Sequence, residues 1–182
     1  MIALIVVLVI VLLIIIWGIS SYNSLVMLRN KGDEAEAGID AHLKERADLI
    51  PNIVETVKGY ASHESATLES VIAARNKAVS SNGPDRMKAE SELDSALGRL
   101  FAVAEGYPEL KANQNFLDLQ NQLTRIETTL ANARKYYNAV VREYNDKIMV
   151  FPSSLIAGAF HFAKRDYIEI DEADRARTEV RF

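Results

Sequence analysis

The 182-residue sequence contains no cysteine, and other residue types that define protein classes are scarce. Without thiols the chain cannot form a disulfide framework, a zinc knuckle, an iron–sulfur cluster or a thiol nucleophile. Eight glycines and four prolines are too few for a collagen-like or low-complexity chain. The net charge is −4 and the longest basic run is Lys164-Arg165, so we expect no nucleic-acid partner.

Charge is also absent from the start of the chain, where residues 2–19 form an apolar run. As a helix rising about 1.5 Å per residue, this run approaches the roughly 30 Å of hydrocarbon in a bilayer. A cleaved signal peptide is the alternative, but it needs a basic leading segment and a shorter apolar run. We therefore expect a retained single-pass membrane anchor that contacts the lipid bilayer through residues 2–19.

The first charged residues predict how this anchor is oriented. Arg29 and Lys31 follow the span, and no basic residue precedes it. Basic residues concentrate on the cytoplasmic side of membrane spans. We therefore expect the C-terminal domain to be cytoplasmic.

Beyond the anchor, apolar residues recur at steps of three and four, the period of an amphipathic helix. This period predicts helices over residues 19–61 (with a kink or break at Pro51), 64–79, 87–104 and 113–149. Turn residues at 80–85 and 106–108 separate them, and Phe151-Pro152 ends the longest helix. Only residues 167–170 show a marginal strand pattern.

These stripes predict an all-α fold, with an N-terminal transmembrane helix followed by an antiparallel bundle of long helices packed as in a coiled coil. We divide the chain into an anchor at 1–22, a helical bundle at 23–165 and a charged tail at 166–182. The tail has little apolar surface to bury, so we expect it to be disordered.

Several ungapped motifs resemble the LemA family. They are YNSLV at 22–26 with Arg29-Asn30, RADLIPN at 46–52, VETVKGYA at 54–61, YPELKAN at 107–113, the Ala133-to-Asn138 stretch, Tyr144-Asn145 and Phe151-Pro152. The resemblance covers residues 1–165 and implies a membrane helix and a bundle of long helices, without implying an enzymatic activity. Some relatives are similar to proteins involved in forming magnetosome membranes, which implies a role in membrane organisation.

Four positions depart from the pattern of that family. Gly32 and Glu36 stand where the family usually has an aliphatic residue and a tryptophan. His42 replaces a common glutamine, and His161 stands where a glycine is usual. We expect the first two departures to alter packing at the start of the long helix.

The sequence lacks the motifs of common catalytic and metal sites. The residue three positions before each histidine is not a carboxylate, so the Glu-x-x-His pairs of di-iron bundles are absent. His63 has serine and glutamate neighbours, but adjacent helical residues point in different directions. We interpret His42 as solvated or partly buried and His161 as packed on the bundle. We therefore expect no enzyme, no catalytic, cofactor-binding or metal-binding residues, and no cofactor.

Polar residues inside the apolar stripes need partners if they are buried. Six such residues are Glu55, Arg134, Tyr137, Asn138, Tyr144 and Asn145. We interpret them as structural pairs that fix helix register, with partner binding and catalysis as alternatives. The segment 155–167 carries a rough apolar stripe and is expected to cap the bundle or dock on a neighbouring subunit; a position on the bilayer surface is the alternative.

These features predict a non-enzymatic, membrane-anchored helical scaffold that self-associates as a homo-oligomer and organises or shapes membrane. An anchor concentrates copies in one plane, which favours self-association. Aromatic residues also fall around more than one face of the longest helix, at Phe116, Tyr136, Tyr137 and Tyr144. The alternatives are a membrane-tethered adaptor or signalling module that recruits a soluble partner, and an enzyme without a known motif.

Overall fold

The computed structural model describes residues 1–168, and within that part all regular secondary structure is helical. The helices are α1 (Ile2–Lys58), α2 (Ser65–Ser80), α3 (Pro84–Ala104), α4 (Pro108–Lys111), α5 (Gln114–Met149) and α6 (Ser153–Ala159). The predicted all-α fold, with a long apolar N-terminal helix followed by packed helices, is therefore confirmed.

The chain divides into two compact units. Unit 1 contains Met1–Ile39 and the chain from Ala131 onward, and unit 2 contains Asp40–Leu130. Helices α1 and α5 therefore each contribute to both units, whereas α2, α3 and α4 belong to unit 2 and α6 belongs to unit 1.

Unit 2 has an aliphatic core that follows the three- and four-residue period of the sequence. Its most deeply buried apolar side chains come from every helix of the unit: Ile50, Ile53, Val57, Val71, Leu93, Leu100, Leu110 and Leu130. A short turn joins α2 to α3 through Gly83, whose φ of +59° is a conformation that glycine adopts without steric cost.

Pro51 does not interrupt α1, which continues to Lys58. A break at this proline is therefore wrong, and the kink that was its alternative stays a prediction. Proline has no N–H, so the carbonyl of Ala47, four residues earlier, loses its helical donor. Arg75 on α2 replaces that donor, because its Nε donates to the Ala47 carbonyl oxygen at 3.0 Å.

Unit 1 packs α1 against α5 and α6. Leu25, Leu28, Tyr144 and Ala157 form its core, and partly buried Ile148, Ile156 and Phe162 pack against it. Ser24 accepts a hydrogen bond from Lys147, whereas Lys31 lies near Tyr136 and Ala139. Because a later residue of α1 faces an earlier part of α5, the helices are antiparallel here.

The remaining boundaries differ from the prediction only locally. Helix α3 begins at Pro84, since proline suits the first turn of a helix, so the turn before it covers only residues 81–83. The single-turn α4 was not predicted, and α6 ends at Ala159. Tyr167 and Ile168 are not in a strand, and the rest of that candidate strand and of the predicted tail, residues 169–182, lies outside the described residues.

Candidate functional site

The apolar start of α1 is exposed along its whole length. The large apolar residues from Ile2 to Ile19 leave between 38% and 81% of their surface uncovered by other parts of the described chain, and Gly18 is partly covered. This part of α1 is long and apolar enough to cross a membrane. An uncovered apolar helix can lie in the hydrocarbon core of a bilayer because its backbone N–H and C=O groups hydrogen-bond within the helix. It is the candidate membrane span of the chain.

Unit 2 contains a charged cluster centred on Arg46, whose side chain is only 2% exposed, and the surrounding carboxylates range from buried Glu90 to exposed Glu127 and Asp94. Its Nη1 lies 2.9 Å from Glu90 Oε2, and its Nε lies 2.8 Å from Glu127 Oε1. Its Nη2 also contacts Asp94. Nη1 and Nη2 donate hydrogen bonds to Glu90 and Asp94, whereas the contact of Nε with Glu127 is an ion pair without hydrogen-bond geometry. The Arg46 cluster thereby joins α1 to α3 and α5.

This cluster is suited to holding helices together rather than to chemistry. Arginine stays protonated in proteins, so Arg46 cannot act as a general acid or base. The carboxylates contribute three negative charges against one positive charge and all face the guanidinium. Such an arrangement fixes which faces of the three helices meet.

In unit 1, two asparagines of α5 hold the extended segment 162–168. Asn145 Nδ2 donates to the Arg165 carbonyl at 2.9 Å, and its Oδ1 accepts from the Arg165 N–H at 3.0 Å. Asn138 makes the same two bonds to Ile168, at 2.7 and 2.9 Å. Each amide thus satisfies both polar groups of one backbone residue. We call this pair the asparagine clamp.

The spacing of the clamp follows from helix and strand geometry. Asn138 and Asn145 are seven residues apart on α5, while their partners Arg165 and Ile168 are three apart. Seven helical residues rise about 10.5 Å and three extended residues about 10 Å, so the two registers match. Tyr137 adds a bond from its hydroxyl to the Asp166 carbonyl at 3.2 Å.

The side chain of Arg165 fixes the same segment to α1. Its guanidinium lies 2.5 Å from Asp33 and 2.8 Å from Glu36, and it also donates to the Arg29 carbonyl at 3.2 Å. Burial by itself lowers the pKa of this guanidinium, but the hydrogen bond to Asp33 and the contact with Tyr137 together raise the pKa above its ordinary value. Arg165 therefore stays positively charged.

Two departures from the family pattern meet at Arg165. A Cβ atom at Gly32 would lie 2.9 Å from the Arg165 Nη1, closer than such atoms approach without a shift. Gly32 therefore leaves room for the guanidinium, and Glu36 supplies one of its carboxylates. The guanidinium of Arg165 from segment 162–168 thus occupies the space beside Gly32.

The other polar residues of the stripes have different environments. Tyr144 is buried in the core of unit 1, and burial raises the pKa of its hydroxyl. Glu55 is exposed, 3.7 Å from Lys58, and Arg134 is half-buried on α5. The structural interpretation therefore describes Tyr137, Asn138 and Asn145, whereas Glu55 forms only a surface pair.

The histidines lie apart at the surface. His42 Nδ1 lies 3.3 Å from Glu45, and His63 and His161 are exposed. The prediction that His161 packs on the bundle is therefore wrong; it instead ends α6 with φ +55°, where glycine is favoured. Within residues 1–168, no three His, Asp or Glu side chains are placed to hold a metal ion.

The grooves of unit 1 are open rather than enclosed. One of about 420 Å³ is lined by Lys31, Tyr136, Arg142, Glu143 and Asp146, all of which are exposed. Active sites usually shield reacting groups from water in a concave and mostly apolar pocket. This groove offers charged side chains of both signs without such shielding.

Sequence reasoning missed the Arg46 cluster and the contact of Arg75. A signal for Arg46 was present, because it follows Leu43 by three residues and precedes Ile50 by four, which places it in the apolar stripe. A charged residue in that position must find partners. Those partners lie 44 to 81 positions further along the sequence, and only the packing of α3 and α5 identifies them.

Comparison with known proteins places these features in a family. The chain is similar to Protein LemA of Metamycoplasma hominis, with 26% identity over 87% of this chain and 75% of that protein. It is also similar to Magnetosome protein MamQ 2 of Paramagnetospirillum magneticum, with 24% identity over 81% of this chain and 64% of that protein. Magnetosome protein MamQ of Magnetospirillum gryphiswaldense is 22% identical over 80% of this chain and 64% of its own length.

The chain thus spans less than two thirds of the magnetosome relatives it matches. The sequence pattern of the LemA family matches residues 35–182, which is well over half of the chain. That match includes the Arg46 cluster and the asparagine clamp. The chain belongs to the LemA family.

Proposed function

We propose that this chain is a non-enzymatic, membrane-anchored helical scaffold that self-associates and organises membrane. The continuity of α1 carries the proposal, because one helix from Ile2 to Lys58 begins as the candidate span and then supplies core residues to both units. Leu25 does so in unit 1, and Ile50 and Ile53 do so in unit 2. Both units are thereby attached to the anchor by unbroken helix.

The polar clusters support a structural role rather than a reaction. Arg46 and Arg165 are each engaged by carboxylates from other parts of their unit, and the asparagine clamp is engaged by backbone. Groups that are already paired in this way lack the open position that a substrate needs. The similarity to magnetosome proteins agrees with the membrane-organising role that the family resemblance implied.

Self-association is supported chiefly by the anchor. Copies held in one plane meet at a high effective concentration, and symmetric assemblies are common among proteins. The aromatic residues of α5 contribute less than the sequence indicated, because Phe116, Tyr137 and Tyr144 are buried within their own units. Tyr136 remains 57% exposed and is the aromatic side chain of that set available to a second copy.

The anchor is tested by placing charge in the span. Each charged residue at a bilayer centre costs about 2.5–3.5 kcal/mol on insertion scales, so Leu8→Arg combined with Leu12→Arg should release the chain from membranes. Val79→Arg combined with Met87→Arg changes two exposed apolar residues of unit 2 in the same way and should leave the chain bound. An intact mass corresponding to a chain that begins near Ser21 would contradict a retained anchor.

The scaffold is distinguished from the adaptor by purification in mild detergent. A scaffold should recover copies of itself, whereas an adaptor should recover a stoichiometric foreign protein. Recovery of such a protein, with the chain itself present as a single copy, would contradict the proposal. A cytoplasmic C-terminal domain is part of the proposal, and a cysteine placed at Val79 should react with an impermeant thiol reagent only after the cytoplasmic side is opened.

A further inference from the structure

One face of α6 and its flanking residues is apolar and uncovered. Phe151, Leu155 and Phe160 are 75%, 62% and 58% exposed. The opposite face packs on the core of unit 1 through Ile156 and Ala157. The predicted capping role is thus fulfilled by one face only, and the other requires a separate explanation.

The segment lies beside the end of the candidate span. The Ile156 Cδ1 is 3.8 Å from the position of a Cβ at Gly18. The rings of Tyr22 and Phe160 are 4.7 Å apart. Gly18 is at the end of the apolar run, and Tyr22 follows about 6 Å further along the axis. The exposed face of α6 is therefore level with the place where hydrocarbon gives way to lipid headgroups.

The charges nearest this level are basic. Residues 1–32 and 147–165 contain no aspartate or glutamate, and they contain five basic residues: Arg29, Lys31, Lys147, Lys164 and Arg165. Arg165 is paired with Asp33 and Glu36, so the other four are the ones that can face anionic lipid. Basic residues beside a membrane span are attracted to anionic lipid. Apolar side chains bordered by basic residues are typical of a segment that lies in the membrane interface.

We propose that α6 and its flanks form a second membrane contact, in which Phe151, Leu155 and Phe160 enter the interface of a bilayer containing anionic phospholipid. This inference rests on the proposed anchor, because the depth of α6 is set by its contacts with Gly18 and Tyr22. It commits to lipid rather than to a second copy of the chain because the exposed face continues the lipid-facing surface of the span. The bilayer then contacts unit 1 at two places, the span and α6.

The absence of native cysteine allows a direct test with single labels on the full-length chain. Leu155→Cys reports on α6, Ile10→Cys on the span and Val79→Cys on an exposed apolar position of unit 2. Each variant is labelled with an environment-sensitive fluorophore and reconstituted in phosphatidylcholine vesicles with or without phosphatidylglycerol. Lipids carrying a nitroxide quencher then report contact with the bilayer.

We expect quenching at Leu155 to be several-fold stronger than at Val79 and to increase when phosphatidylglycerol is added. Quenching at Ile10 should be strong in both kinds of vesicle. Phe151→Cys repeats the measurement at a second exposed position, in case one label disturbs α6.

The control at Ile10 separates failure of this inference from failure of the anchor. An unquenched label at Ile10 would overturn the proposed anchor together with the inference. Quenching at Ile10 with none at Leu155 or Phe151 would overturn the interfacial contact alone. Spin labels at Leu155 that couple to each other between copies, without contact with lipid, would assign the face to a second copy and also overturn the inference.

Discussion

The two units hold their polar centres in different ways. Unit 2 joins side chain to side chain, with Arg46 facing carboxylates from α3 and α5. Unit 1 also has the ion pairs of Arg165 with Asp33 and Glu36, but it adds side chain-to-backbone bonds, in which Asn138 and Asn145 bind the peptide groups of segment 162–168. Charge pairing depends on the identity of every partner, whereas backbone recognition depends only on two amides and the register between them.

This difference predicts which property each unit loses when its polar centre is mutated. Removing Arg46 takes away the cation that Glu90 faces where the Glu90 side chain is only 10% exposed, and a charge in such a poorly solvated site is costly. When one amide of the clamp is removed, one peptide group must form its hydrogen bonds with water instead. Water can reach it because segment 162–168 is largely exposed at its edge. We therefore expect unit 2 to lose global stability and unit 1 to lose local order.

The largest effect is expected from Arg46→Met. Breaking a buried ion pair by removing one partner costs about 3–5 kcal/mol. Urea titration followed by circular dichroism in mild detergent measures the loss of unfolding free energy. Arg86→Met is the matched control, because it removes a pair with exposed Asp40 at 2.7 Å in the same unit. Exposed pairs contribute about 0–1 kcal/mol, so equal losses in the two variants would contradict the special role of Arg46.

A smaller, local effect is expected from Asn145→Asp. The change keeps the acceptor for the Arg165 N–H but removes the donor to the Arg165 carbonyl, which costs about 1–3 kcal/mol at a buried site. Amide hydrogen exchange should accelerate in segment 162–168 and remain unchanged in α2 and α3. Asn132→Asp, an exposed position on the same helix, should leave exchange unaltered. Acceleration throughout the chain would mean that the clamp supports more than this segment.

Prediction from sequence succeeded where the interaction was local and failed where it was distant. The apolar period placed α2, α3 and α5 to within a few residues, because burial on one side of a helix repeats along the chain. The expected break at Pro51 was reasonable from local rules, but the compensating donor is Arg75, on another helix. In the same way, Gly32 and Glu36 were recognised as unusual without any indication that Arg165 explains both.

The contact between Arg75 and Ala47 shows that unit 2 also uses a side chain-to-backbone bond between two helices, and a double-mutant cycle measures it. Arg75→Met should cost about 1 kcal/mol through the lost bond. In a Pro51→Ala background the helical N–H is restored, so the cost of Arg75→Met should fall. The nearby contact of Arg75 with Asp48 is present in both backgrounds and cancels. Identical costs in the two backgrounds would show that Arg75 does not substitute for the missing donor.

Unit 1 should gain stability from His161→Gly. His161 has φ +55°, and the Phe162 N–H donates to the Ala157 carbonyl at 2.9 Å, as in a glycine-terminated helix end. Replacing a residue with a side chain in this conformation by glycine should stabilise the chain by about 1 kcal/mol. The same substitution at His42, inside α1, should destabilise it. Thermal unfolding of both variants checks the contrast, and a loss of stability at His161 would refute it.

The smallest expected effect is a surface titration in unit 2. The hydrogen bond from Lys77, at 2.5 Å, lowers the pKa of Glu92, and a similar bond from Lys44 lowers the pKa of Asp48. A lowered folded-state pKa means that the stabilisation is complete above the ordinary value and is lost as pH falls through the folded value. NMR titration should show the pKa of Glu92 returning upward in Lys77→Met. Lys135→Met, an exposed change on α5, should leave it unchanged.

The subunit number of the full-length chain in membranes tests the proposed scaffold most directly. The chain has a mass of 20.3 kDa. Mass measurement after mild solubilisation at submicromolar concentration, repeated after crosslinking in native membranes, should give one discrete multiple of that mass. A single-chain mass that crosslinking does not alter would contradict self-association and leave the adaptor as the better account.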